Sequence, residues 1–224
     1  LGVLRHQQGQ HAEAAELVRR AVNLRPEDAA LQLNLGNALK ALGQIDDAIE
    51  QFRNALTLAP TFPMAHYNLG NAYASVGRHE DAADAFQKSL RLQPNDASSH
   101  NNLGNALHAL GRHAEAIASF QRALELRPGH AGALNNMGMS LNALERADEA
   151  IQHFRAALAA EPRFVAAHFN LANTPDATGR HEEAVASFQA ALALQPNLPP
   201  TIFGLGNALA ALGHPDPARV AMVG

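Results

Sequence analysis

Proline recurs at Pro26, Pro60, Pro94, Pro128, Pro162 and Pro196, each 34 residues after the last. The same interval carries Ala14, Ala48, Ala82, Ala116, Ala150, Ala184 and Ala218, and also Phe52, Phe86, Phe120, Phe154 and Phe188. Leu35-Gly36, Leu69-Gly70, Leu103-Gly104, Met137-Gly138 and Leu205-Gly206 keep the same register. A fixed period between about 20 and 50 residues marks a stacked repeat protein, in which each unit completes its core only against its neighbours.

Within one unit, Ala29 to Phe62, the side chains define two helices. Leu31, Leu35, Leu39 and Leu42 form one apolar stripe, and Gly43 ends it with a residue tolerant of positive φ. Ile45, Ala48, Ile49, Phe52, Ala55 and Leu56 form the second stripe. Asp46 and Asp47 sit in its first turn, where the helix dipole favours negative charge. Pro60 stops it, because proline cannot continue a helix and pushes the preceding residue out of the α region. Small residues at Gly36, Ala48 and Ala55 let the two helices approach, and Phe52 is expected to fill the space between pairs.

Composition narrows the function. Hydrophobic residues make up 47% of the chain but aromatic ones only 5%, so the apolar content is mostly Ala and Leu. Cys is absent, which removes disulfides, thiolate catalysis and Cys-ligated zinc. A net charge of −4 offers no basic footprint for nucleic acid or an anionic membrane. No apolar run approaches the ~18–20 residues of a membrane span. The chain opens LGVLRHQQG with neither an initiating Met nor a signal segment, as expected of a cytoplasmic piece of something longer.

The unit resembles the tetratricopeptide repeat (TPR): Leu-Gly in the first helix (helix A), Ala, Phe and Ala down the second (helix B), then a closing Pro. That resemblance implies an all-α, right-handed superhelical solenoid over residues 1–224. Its five full units are 29–62, 63–96, 97–130, 131–164 and 165–198, with partial units at 1–28 and 199–224. Three departures carry expectations. Pro175 stands where the other units have Leu39, Tyr73, Leu107, Leu141 and Leu209, and a proline inside a helix costs roughly 3 kcal/mol. With Ala172 and Thr178 in the same segment, it predicts a kink or early end to that helix. Glu145 replaces the turn glycine and predicts a different turn. Pro215 and Pro217 fall in a first turn, where a missing amide proton is harmless.

In the family, helix A lines the inner surface. Helix B carries most of the charge here, whereas helix A has little beyond Lys40, Asp176 and Arg5. What helix A has instead is asparagine. Its sixth position reads Asn34, Asn68, Asn102, Asn136 and Asn170, and its ninth Asn37, Asn71, Asn105, Asn173 and Asn207. Positions three apart share a helix face, so two rows of amides are expected along the stack. Asn is a middling-to-poor helix former, and its repetition wants a reason. One reason is that a side-chain amide matches a peptide group in donors and acceptors, and a ladder of them holds an extended chain by its backbone. The other is that the amides pack adjacent helices or were copied when the repeat duplicated. The rows break at Met139 and Gly204.

The ladder and the phrase NLGNAL are similar to the repeat array of O-linked N-acetylglucosamine transferases and their bacterial SPINDLY-like relatives. There a concave asparagine row presents protein substrates to a glycosyltransferase domain. The resemblance gives Asn34, Asn68, Asn102, Asn136 and Asn170 the ladder role. The fifth-position residues Tyr67, Asn101, Asn135 and Phe169 join the candidate peptide-binding set. Five ladder residues making two bonds each, at about 0.5–1.5 kcal/mol net, supply roughly 5–15 kcal/mol gross. Association costs an estimated 4–15 kcal/mol, so binding is expected to be micromolar or weaker.

Other readings are less well supported. Ala30, Met64, Ser98, Gly132 and Ala166 at the second position, with Leu33, Tyr67, Asn101, Asn135 and Phe169 at the fifth, leave no cationic pair for a C-terminal carboxylate. The histidines mostly follow the repeat: His66, His100 and His168 share one position, and His11, His79, His113 and His181 another, about one repeat apart and too distant to share a metal ion. No catalytic constellation, metal site or cofactor loop can be placed, and GLGNAL at 204–209 lacks the third glycine of a dinucleotide loop. The chain is expected to be no enzyme, to need no cofactor, and to bind protein or peptide clients. Self-association is the alternative: repeat ends without polar caps expose stacking faces, and head-to-tail contact builds a scaffold.

Overall fold

The structure, a computed structural model, describes residues 11–174 and 179–213 of the 224-residue chain. Among them every regular element is an α-helix. The first of two compact units, residues 1–112, holds α1 (His11–Leu24), α2 (Ala29–Ala41), α3 (Ile45–Leu58), α4 (Pro63–Ser75), α5 (His79–Leu92) and α6 (Ala97–Ala109). The second, residues 113–224, holds α7 (His113–Leu126), α8 (Ala131–Ala143), α9 (Ala147–Ala160), α10 (Val165–Asn173), α11 (His181–Leu194) and α12 (Pro199–Ala211). In the first unit each helix packs on the next along the chain: α2 on α3, α3 on α4, α4 on α5 and α5 on α6. The second unit repeats the pattern from α8 through α12. These are the helix–turn–helix pairs that the 34-residue period predicts, with ends within a residue of those read from Leu42, Gly43 and Pro60.

Local chemistry starts and stops the helices. The Asp28 carboxylate accepts hydrogen bonds from the backbone N–H groups of Ala30 and Leu31, and Asp96 does the same for Ser98 and Ser99. Before α8, where no such acid is present, the His130 ring takes over and its Nδ1 accepts from Ala133 N–H at 3.2 Å. Pro63 and Pro199 open α4 and α12, where the missing amide proton costs nothing. A second device ties four of the A helices to the loop before them. Nε2 of Gln32 donates to the carbonyl of Pro26 at 3.1 Å. His66, His100 and His168, at the same repeat position, pair through Nε2 with the carbonyls of Pro60, Pro94 and Pro162 at 2.9, 2.9 and 3.0 Å. The repeated histidines are structural latches, and the period that placed them is the period of the loop they close.

The turns between helices A and B hold Gly43, Gly77, Gly111, Gly179 and Gly213 at φ between 63° and 78°. Glu145 was expected to force a different turn; instead it adopts φ 60° and keeps the same one. Its N–H donates to Asn142 O and Arg146 N–H to Leu141 O, as Gly43 and Gln44 do to Lys40 and Leu39. The hydrogen bonds of the turn outweigh the left-handed strain on a side chain, which is of order 1–2 kcal/mol.

The repeated phenylalanines Phe52, Phe86 and Phe154 press against the glycine of the first helix in their own pair. A Cβ on Gly36 would lie 2.5 Å from Phe52, one on Gly70 2.7 Å from Phe86, and one on Gly138 2.6 Å from Phe154. The Leu-Gly or Met-Gly step is therefore the floor on which the ring of the same repeat rests. In the repeat 165–198 that floor is missing, because Ala172 occupies the glycine position. There Phe188 rests instead on Gly204 of the following helix, close enough that a Cβ on Gly204 would fall on its ring. Gly204 is one of the two breaks in the asparagine rows, and it lies directly against that ring. The expected early end also appears: α10 stops at Asn173 after 9 residues, against 13 in α2, with Thr174 extended at ψ 115°. Pro215 and Pro217 lie outside the described residues.

Candidate functional site

Asparagines from helix A of successive repeats meet one another. In the first unit Asn68 Nδ2 donates to Asn37 Oδ1 at 2.8 Å. One repeat later Asn102 Nδ2 donates to Asn71 Oδ1 at 2.9 Å, and to the Tyr67 hydroxyl at 3.3 Å. The rule is directional: the sixth position donates to the ninth position of the repeat before. The rows are cross-linked, and the sequence showed the two rows but not the link between them. Asn101 joins through its Nδ2, which donates to Asn102 Oδ1 at 3.1 Å, while its own Oδ1 is buried with no partner. Asn71, Asn102 and Asn105 share a cavity of about 240 Å³ with His79 and Phe86. The Tyr67 ring, 5.9 Å from Phe86, closes the aromatic base of this region.

The second unit repairs the break at Met139. Asn170 Nδ2 donates at 2.9 Å to Oδ1 of Asn135, a fifth-position residue that replaces the missing ninth-position acceptor. Asn135 is only 3% exposed. Its Nδ2 donates to Asn136 Oδ1 at 3.2 Å and lies 3.6 Å from the Met139 sulfur. Asn135 thus supports Asn170 from inside the pair. Asn173 is exposed at the end of α10 and donates to the carbonyl of Phe169 at 3.1 Å. Phe169 packs edge-on to Phe188 with centroids 6.3 Å apart. Asn34 is half-buried in α2, and Asn207 is exposed on α12 beside the glycine that interrupts the sixth row.

Each link spends one N–H of the sixth-position amide and one lone pair of the ninth. Asn68 keeps an N–H and its Oδ1 keeps its lone pairs; Asn37 keeps both N–H groups. Asn37 and Asn68 are thus held in place by a bond between repeats and still offer donor and acceptor atoms at half-buried positions, whereas Asn102 has both N–H groups engaged and keeps acceptor capacity alone. The face carries little charge. Lys40 is its cation in the first unit, and burial holds that ammonium below the usual lysine range. Among the described residues no group of three or more His, Asp or Glu is gathered to hold a metal ion, and no helix is long and apolar enough to cross a membrane.

Comparison with known proteins agrees with this architecture. Comparison with the curated proteins gives no match. Among solved structures the chain is similar to YrrB, described as a TPR protein with an unusual peptide-binding site. The two are 28% identical with TM-score 0.69, over 84% of this chain and 97% of that one. It is similar to MamA at 26% identity and TM-score 0.69, over 73% of this chain and 95% of that one. The type IV pilus biogenesis factor PilW shares the fold at 23% identity and TM-score 0.76, over 86% and 90%. Tetratricopeptide repeat family models match residues 33–97, 67–131 and 135–199, and a further one 5–52. No enzymatic family is among these matches, and repeats of this kind are generally non-catalytic binding scaffolds. The chain belongs to the tetratricopeptide repeat family.

Proposed function

We propose that this chain is a non-catalytic protein-interaction module that holds extended polypeptide segments against the asparagine-bearing faces of its A helices. The observation that carries the reading is the Asn37–Asn68 and Asn71–Asn102 network. It fixes amides in one orientation while leaving donors and acceptors of the kind a peptide backbone needs. Fixing them beforehand matters, because ordering a flexible side chain on binding costs about 0.5–1.5 kcal/mol each. The likeness to YrrB, itself described as binding peptide, supports the same class of ligand. Recognition through backbone groups makes the grip weak and broadly tolerant of sequence, which suits a module that presents clients. In its finer form the reading makes the array the substrate-presenting part of an O-GlcNAc-transferase-like protein. That form rests on the phrase NLGNAL and on the ladder positions Asn34, Asn68, Asn102, Asn136 and Asn170.

The test is capture of polypeptide clients by the chain and by a variant with Ala at 34, 68, 102, 136 and 170, with circular dichroism to show that the variant folds. Clients kept by the first and lost by the second support the reading; equal recovery assigns the amides to packing alone. A second reading, self-association, is favoured by α12, where Ile202 and Phe203 are 47% and 72% exposed. A mass by light scattering that stays monomeric across a dilution series would remove it.

A further inference from the structure

Helices α3, α4 and α5 form a cleft of about 370 Å³, free of asparagine, whose polar lining includes Arg53, His66, Tyr73, Asp81, Asp84 and Lys88. The repeat supplies its own template for what such a cleft holds. Three repeats further on, Arg155 occupies the position of Arg53 and Glu183 that of Asp81. Arg155 grips Glu183 with a two-pronged bond, Nε to Oε1 at 2.9 Å and an Nη to Oε2 at 2.8 Å. An arginine at this position of the repeat therefore takes a carboxylate arriving from the next helix B, with the fork geometry that guanidinium and carboxylate share.

In the first unit the same arrangement is left open. Asp81 is one methylene shorter than Glu183, and Arg78 captures it, Nε to Oδ2 at 2.7 Å and Nη2 at 2.6 Å. Arg53 turns to Tyr73, donating through Nε to the hydroxyl at 3.0 Å, and among the described residues it has no acidic partner. The Tyr73 ring lies beneath both guanidiniums, 4.4 Å from Arg78 and 5.7 Å from Arg53, so the phenol is fixed. Its hydroxyl accepts from Arg53 and so retains its own proton for donation. Lys88 lines the same cleft and is in no ion pair among the described residues. Two cations and one hydroxyl proton are left without the acceptor that Arg155 has.

We propose that this cleft is a docking site for a partner polypeptide segment bearing a single glutamate, its carboxylate accepting from the free Nη groups of Arg53 and from Tyr73 O–H beside the Lys88 ammonium. Asp84 lines the same cleft and is in no ion pair among the described residues, so its charge opposes ligands with more than one negative charge. The site suits a singly charged carboxylate and rejects a dianionic phosphate. It is distinct from the amide ladder: α4 contributes to both, but the cleft takes His66 and Tyr73 from that helix and none of the ladder asparagines lines it.

The test uses the full chain and the Nε–H resonances of its arginines in a nitrogen–proton correlation spectrum. The probe is a blocked alanine-rich peptide with a single Glu, and the same peptide with Gln is the control. Arg53→Gln identifies the resonance and is compatible with the fold, since Gln87, Gln121 and Gln189 occupy that position in other repeats. The expected result is a saturable shift of the Arg53 resonance by the Glu peptide and none by the Gln peptide. Lys88→Gln should weaken the titration several-fold. Asp81→Glu should restore the internal pair seen at Arg155, moving the Arg53 resonance before any peptide is added and weakening binding at least about fivefold. Absence of a shift overturns the proposal. So does an Asp81→Glu variant that moves the Arg53 resonance yet titrates like the parent, or inorganic phosphate binding more tightly than the Glu peptide.

Discussion

Replacing Gly204 by Asn would restore the amide missing from the sixth-position row, and the packing around Phe188 says that the chain will lose stability. Carbon atoms in contact sit about 3.5–4.0 Å apart. A Cβ at Gly204 would reach the Phe188 ring at least as closely as one at Gly36 or Gly70, at 2.5 and 2.7 Å, would reach Phe52 and Phe86. The overlap is about 1 Å against a ring that is 2% exposed and hemmed in by Leu205, Ala208 and Leu209. Overpacking of this kind costs about 1–3 kcal/mol, and Asn in place of Gly returns only a few tenths in helix propensity. A net loss of about 2 kcal/mol lowers Tm by roughly 4–8 °C in a chain of this size. Ala172→Gly alone should cost about 1 kcal/mol, as glycine does in a helix interior. The double variant is the informative one: with the floor of the other repeats restored, Phe188 can move back into its own pair. Its loss should then fall short of the sum of the singles by at least about 1 kcal/mol. Urea unfolding followed by far-ultraviolet circular dichroism measures all three. Hydrogen exchange on α11 and α12 locates the effect. A Gly204→Asn variant as stable as the parent, or a double variant equal to the sum, refutes the argument.

Glu145→Gly should stabilise the chain by about 1–2 kcal/mol by relieving φ 60°, seen as a higher urea midpoint; an unchanged midpoint would mean the turn carries no strain. In a double-mutant cycle, Asn37→Ala and Asn68→Ala should couple by about 0.5–1.5 kcal/mol in stability, and additivity would deny the link between them. Burial pushes the His153 imidazole down, with Glu149 opposing. The unfolded chain therefore takes up that proton first, and stability falls as the pH drops through the ordinary histidine range. His153→Gln should flatten that part of the pH–stability curve, and an unaltered slope between about pH 7 and 5 would contradict it.

The repeat architecture was legible because Pro, Gly and Phe at a common interval each have a backbone or volume role that few residues can fill. Departures from the interval were legible in kind but not always in consequence. α10 ends at Asn173, ahead of Pro175, a residue outside those described whose missing N–H and ring disfavour continuation of a helix. Glu145 did not change its turn, because φ near 60° is uncommon for a side chain but not forbidden, and three hydrogen bonds hold it there. At the candidate site the sequence showed which residues share a face and not which neighbours they meet. Whether Asn68 finds Asn37 depends on how far one helix pair is shifted against the next, which no single helix encodes. The substitution of Asn135 for Met139 as acceptor, and of Gly204 for Ala172 as floor, are compensations between positions 4 and 32 residues apart. Periodicity reveals each partner as an irregularity and says nothing of the pairing.

The directional link between sixth and ninth positions bears on how such an array changes length during evolution. Because α4 donates to α2 and α6 to α4 in the same sense, a whole 34-residue copy inserted between Asn37 and Asn68 would bring one donor and one acceptor and leave neither neighbour unsatisfied. Loss of a whole repeat would be equally neutral, whereas a partial duplication would orphan a half-buried amide. Selection against that penalty quantises permissible lengths in units of the repeat, and a lineage can shorten or extend its ligand footprint in single steps without first redesigning a junction.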